Sequence, residues 1–126
     1  HGTADPIVPF DDGDRSLVAL GDLIGVTGGA AAQLRMFEAV VGTPVTSWIT
    51  SWAERNGCNP DAPEITAPVA GVERTAYTGC DDGGDVVIQA VAEGGHDWPA
   101  APGLDTTAEA LAFFREHPLP AAALEG

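Results

Sequence analysis

Asp5, in His1-Gly2-Thr3-Ala4-Asp5, and His96, in Gly94-Gly95-His96-Asp97-Trp98-Pro99, are the residues of this chain whose types and order could do chemistry. A carboxylate that fixes the tautomer of an imidazole, and an imidazole that takes a proton from a hydroxyl, are two of the three parts of a nucleophilic hydrolytic triad. Imidazole suits the middle role because its charge changes near neutrality. One recurring chain order places the serine first, the acid second and the histidine last. Asp5 and His96 take the last two places of that order, and no serine sits in the Gly-x-Ser-x-Gly elbow that would supply the first.

Each residue also has a plainer reading. Gly-Gly-His is a common turn, and an Asp before Pro is a common cap or turn former. The pair gains weight because both are expected just past strand ends, where catalytic groups gather in open α/β sheets. His117 is expected at a helix C-terminus, where a cation suits the dipole, and His1 is read as a hydrogen-bonding neighbour of the acid. Ser16, Ser47 and Ser51 lack an elbow and read as capping or surface residues.

The elements that must position the pair follow from local pattern. Residues 1–10 read as the exit from a strand lying mostly before His1, with Asp5-Pro6 holding the backbone extended. Asp11-Asp12-Gly13-Asp14 and Asp81-Asp82-Gly83-Gly84-Asp85 read as polar turns, since neither has the alternating ligands and distant Glu of a calcium loop. No metal site is expected there. Residues 17–41 are mixed, with good helix formers over 30–41 after the Gly28-Gly29 break.

A second helix is expected over 47–56, with Trp48, Ile49, Trp52 and Ala53 on one face, Gly57 at its C-terminal cap and the tryptophans as core anchors. Residues 69–77 and 86–91 read as strands. The second is nearly continuously apolar, as in a strand buried on both faces of a parallel sheet, and it leads into Gly94-Gly95-His96. Residues 106–117 read as a helix that packs back on the sheet, with a Thr106-x-x-Glu109 capping box and Pro118 as its stop. The tail over 118–126 carries no motif.

The 126 residues, 44% of them hydrophobic, suit one small domain or part of one. No apolar run approaches the roughly eighteen residues of a membrane span, so a soluble chain is expected. With 19 acidic and 5 basic residues the net charge is −14, which repels phosphate backbones and anionic membrane surfaces. Neither nucleic acid nor membrane is an expected partner. Cys58 and Cys80 are even in number and outside a Cys-x-x-Cys spacing, which favours a disulfide over a metal site; two buried free thiols are the alternative. A chain rich in Ala, Gly and Asp without lysine has the look of a protein secreted by a high-GC bacterium, so an extracellular location is expected.

Five motifs occur in order: His1-Gly-Thr-Ala-Asp5-Pro6-Ile-Val-Pro9; Trp52-Ala-Glu-Arg-Asn-Gly57-Cys58; Tyr77-Thr-Gly-Cys80; Gly94-Gly-His96-Asp-Trp98-Pro99; and Phe113-Phe114-x-x-His117-Pro118. Together they resemble the C-terminal part of the polyhydroxybutyrate depolymerase and feruloyl esterase family of secreted serine esterases. The resemblance implies an α/β fold, the C-terminal portion of an α/β-hydrolase domain whose last strands belong to a mostly parallel sheet with packing helices. It implies Asp5 and His96 as triad acid and base, a Cys58–Cys80 pair, Trp98 bordering the substrate cleft, and no cofactor. The nucleophile and oxyanion hole would lie in an N-terminal half absent from these residues. The substrate would be an ester on plant polysaccharide or a polyester of the polyhydroxyalkanoate type. A reading of another class is a non-catalytic remnant or interaction module on an esterase-derived scaffold, favoured by the missing serine.

Overall fold

Two turns fold residues 64–91 into an antiparallel meander. The computed structural model of the chain describes residues 1–11, 21, 24–33, 36 and 42–118. Strands β1 (Glu64–Val69), β2 (Val72–Tyr77) and β3 (Val86–Val91) form a sheet in the order β1-β2-β3, both neighbours antiparallel. Ala70 and Gly71 make the first turn, with Gly71 at φ 77°, a left-handed conformation that glycine adopts without a Cβ clash. The β1–β2 register breaks between Thr66 and Val69, where Pro68 has no N–H to give to the ladder. The β2–β3 register is unbroken, from Val72 opposite Val91 to Tyr77 opposite Val86. The polar run at 81–85 turns the chain between them, as expected, through a 3-10 turn at Asp81–Gly83.

This topology corrects the expected fold, because the sheet is antiparallel and not the mostly parallel sheet of an α/β-hydrolase. Two sequence signals misled. Residues 69–77 read as one strand, yet Ala70-Gly71 divides them, and period-two alternation runs unchanged across a two-residue turn. The apolar run of β3 does not require parallel neighbours; a terminal strand of an antiparallel sheet with a helix over each face has the same composition. Parallel pairing among the described residues is limited to an isolated bridge between Gly2 and Val91, made by Val91 N donating to His1 O and Thr3 N donating to Val91 O.

Helix α1 (Val45–Arg55) covers one face of the sheet. Its inward stripe is Val45, Ile49 and Ala53, spaced by four residues, and Ala53 is completely buried against Cys58 and Tyr77, with Ile49, Cys80 and Val86 around them. Trp48 and Trp52 fall beside that stripe and are 45% and 50% exposed, so they are not the core anchors expected. Trp52 instead lies under the Arg55 guanidinium, 4.6 Å from the ring centroid. The helix ends at Asn56 in a Schellman arrangement: Cys58 N donates to Ala53 O, Gly57 N donates to Glu54 O, and Gly57 has φ 72°. The Cys58–Cys80 disulfide then ties this helix end to the β2–β3 connection across a sequence separation of 22. Closing a loop of that length stabilises the fold by about 3 kcal/mol in the chain-entropy account.

Helix α2 (Thr106–Glu116) lies over the opposite face. Its N-cap is Asp105, whose Oδ1 accepts from Ala108 N at 2.9 Å, one residue earlier than the expected capping box; Thr106 Oγ1 donates instead to Pro99 O at 2.6 Å. The helix buries none of its residues, and Phe114 is 66% exposed. A groove of about 370 Å³, lined by Val87, Gln89, Phe113 and Phe114 among others, separates it from the sheet. Packing onto the sheet is thus looser than expected. Of the helix expected over 30–41, the described residues 30–33 and 36 are helical. The rest of that segment, Asp12, Asp14, Ser16 and the tail beyond Pro118 lie outside the described residues.

Candidate functional site

The acid and the base ride on two loops that touch backbone to backbone. Residues 1–5 leave the edge of β3 while residues 92–96 leave its end. The two are joined by Ala4 N donating to Gly94 O at 2.9 Å and Glu93 N donating to Thr3 Oγ1 at 3.1 Å. Glycine makes this approach possible. A Cβ on Gly2 would stand 2.2 Å from Gly94 O, and one on Gly94 would stand 2.9 Å from Gly2 Cα. Sequence reading assigned the glycines of the histidine loop to a sharp turn; Gly94 serves close contact with Gly2, and the left-handed residue of that loop is Glu93, at φ 58°.

Asp5 is 5% exposed, the one buried charged residue among those described. Its Oδ1 accepts from Ile7 N at 2.8 Å and Val8 N at 3.0 Å, an Asx-type turn around Pro6. Its Oδ2 lies 2.8 Å from His96 Nδ1. Burial is the largest single influence on this carboxyl and pushes its pKa up. The Val8 amide, the His96 ring and the Ile7 amide, which all favour the anion, together outweigh burial and hold Asp5 below the ordinary carboxylate value. An ionised carboxylate only accepts, so the proton of a neutral His96 sits on Nδ1 and a lone pair on Nε2.

The His96 side chain is 52% exposed, and no hydrogen bond from a described residue occupies Nε2. The ring is an oriented base open to whatever approaches it. Among the described residues no hydroxyl is bonded to it; its hydrogen bond is to Asp5. Trp98, expected at the rim of a cleft, stands 68% exposed two residues beyond the base.

A third side chain lies near the acid: His1 Nε2 is 3.4 Å from Asp5 Oδ2, a neighbour as expected but without the hydrogen bond expected of it, and the ring's hydrogen bond is instead from Nδ1 to Gly2 O at 2.8 Å. His117 makes a separate pair with Asp85 at 3.4 Å. Sequence reasoning missed Thr3 and the two amides on Oδ1. Both are backbone partnerships, and only the Asp-Pro step hints at them. Among the described residues no three His, Cys, Asp or Glu side chains are grouped so as to hold a metal ion, and no helix is long and apolar enough to cross a membrane. The disulfide is compatible with an extracellular location. In comparisons with known proteins, no family model, curated protein or solved structure matches the chain.

Proposed function

We propose that Asp5 and His96 are the acid and base of a serine-dependent carboxylic-ester hydrolase whose nucleophile comes from outside these residues. One observation carries the reading: a buried, hydrogen-bonded carboxylate holds His96 through Nδ1 and leaves Nε2 free. In the proposed reaction Nε2 takes the proton of a serine hydroxyl as its oxygen attacks the ester carbonyl, and Asp5 stabilises the imidazolium. The imidazolium then returns the proton to the departing alcohol. Water, deprotonated by the same nitrogen, attacks the acyl-serine, and the imidazolium returns that proton to the serine oxygen as the acyl C–O bond breaks and the acid is released. These steps need no cofactor.

The substrate class proposed is an ester on plant polysaccharide or a polyhydroxyalkanoate, and the protein is proposed to be secreted, which the disulfide supports. The five-motif resemblance to secreted serine esterases supports the same activity independently of the sheet topology. A second reading, a scaffold without catalysis, is favoured by the absence of a Gly-x-Ser-x-Gly elbow.

The test is release of p-nitrophenol from a short-chain ester by the natural protein that carries this sequence. His96→Ala is expected to lower turnover by about 10⁴-fold or more. Unchanged turnover in that variant overturns the assignment, and an inactive wild-type protein supports the scaffold reading.

A further inference from the structure

We infer that Thr3 is a positioning residue for His96: its hydroxyl fixes the turn from which the base-bearing loop leaves β3. The inference rests on the proposed acid–base role of Asp5 and His96. Residues 91–94 form a tight turn, closed by Gly94 N donating to Val91 O at 3.2 Å. Its third residue is Glu93, at φ 58°. A positive φ at that place in a turn is ordinary for glycine or asparagine, whereas for a glutamate it carries a cost that the surroundings must offset.

Thr3 grips the turn at two points. Its backbone N–H donates to Val91 O at 2.9 Å, at the first residue of the turn, and its Oγ1 accepts from Glu93 N at 3.1 Å. The first bond survives the loss of the side chain. The second needs a short side chain that carries an acceptor, and it falls on the amide of the left-handed residue itself. Both residues are exposed, so water could satisfy either group alone. Water would not tie the two segments together.

The consequence lies at the far ends of the joined segments. Thr3 stands two residues before Asp5, and Glu93 stands three before His96. Ala4 N donating to Gly94 O at 2.9 Å continues the same seam toward the pair. Gly94 and Gly95 have no side chain to stiffen their backbone, so the direction in which His96 is carried depends on how the turn leaves off. The Thr3 hydroxyl therefore sets how much of the time His96 Nδ1 reaches Asp5 Oδ2, the 2.8 Å contact that fixes the tautomer of the base.

Thr3→Val keeps the branched shape and removes the acceptor. Imidazole ¹⁵N shifts at about pH 8.5, above the ordinary histidine range, are expected to show a smaller Nδ1–H fraction for His96 than in wild type, with the His117 shifts unmoved. In the natural protein that carries this sequence, kcat for a p-nitrophenyl ester should fall about fivefold, the worth of one net hydrogen bond, with KM unchanged. Thr3→Ser restores the acceptor and should return both readings toward wild type. Adding Glu93→Asn to Thr3→Val should recover part of the loss, because asparagine tolerates the left-handed backbone. Identical His96 shifts in wild type and Thr3→Val, a Thr3→Ser variant no better than Thr3→Val, or His117 shifts that move as far as those of His96 overturn the inference. The ring readout needs no turnover. A His96 response as expected in a protein that hydrolyses no ester would sink the hydrolase reading and leave Thr3 as the residue that orients His96.

Discussion

His96 meets Asp5 through Nδ1 at 2.8 Å, and the acid is 5% exposed. His117 meets Asp85 through Nε2 at 3.4 Å, and the two side chains are 21% and 22% exposed. The residue types are the same, but the nitrogen left over differs. Nε2 of His96 has no described partner, whereas Nδ1 of His117 lies 2.8 Å from Phe113 O, the same carbonyl that receives the His117 backbone N–H. Stacked on Phe113 at 4.1 Å between centroids, His117 closes the end of α2 against the start of β3. A histidine with both nitrogens committed is a latch; one with a buried acid on one nitrogen and solvent on the other can move a proton.

The largest expected effect comes from removing the charge of each acid in turn. Asp5→Asn preserves shape but offers His96 an amide whose hydrogen-bonding demands differ, which disturbs the tautomer a base needs; under the proposed hydrolase reading, ester turnover should fall by about 10⁴-fold. Asp85→Asn should leave turnover unchanged within error. Equal losses from the two substitutions in a p-nitrophenyl ester assay would break the distinction between working pair and latch.

Much of this contrast was legible in the chain, and the reason differs by residue. Asp5 and His96 stood out because Asp-Pro and Gly-Gly-His mark loops at element ends, and the structure brings them within hydrogen-bonding distance across 91 positions. His117 was placed at a helix C-terminus by Pro118, which stops the helix, and it lies there as the C-cap. β3 was read with its observed bounds. What failed was long-range. β1 is exposed along nearly its whole length, so no apolar alternation announced it, and the partner of a strand is not encoded in its own composition. Trp48 and Trp52 failed because a helix face several residues wide does not say which stripe the sheet will meet.

The close approach that sets the working pair gives the next effect. On Gly2 a methyl group would meet Gly94 O at 2.2 Å and Gly95 O at 2.5 Å, both backbone atoms that cannot swing aside. Gly2→Ala is expected to cost about 2–3 kcal/mol by urea unfolding and to part the two loops. A Cβ on Gly95, next to the base, would meet only Asp97 Oδ2 at 3.7 Å, an ordinary contact. Gly95→Ala should stay within about 0.5 kcal/mol of wild type. A tolerated Gly2→Ala would show that the loops do not need this contact to join acid and base.

The smallest effect separates the pairs by the direction of their pH dependence. The Phe113 carbonyl is the largest influence on His117 and raises its pKa above the ordinary 6.5; burial opposes it, and Asp85 and Glu116 add to the rise. A group whose pKa is raised on folding binds its proton more tightly in the folded state. Its contribution is fully present below the unfolded value and is lost as pH rises through the folded one. The Asp5 pKa is lowered on folding, so its contribution is present above the unfolded carboxylate value and is lost as pH falls through the folded one. Thermal unfolding of His117→Ala beside wild type should therefore show a deficit at about pH 5.5 that shrinks by about pH 8.5, spanning the ordinary histidine range. His117 is near the surface and its ion pair is long, so salt should shrink the low-pH deficit further. A deficit that grew with pH would mean that His117 is held neutral, with Nδ1–H on Phe113 and no charge offered to Asp85, and the latch would then be a single hydrogen bond.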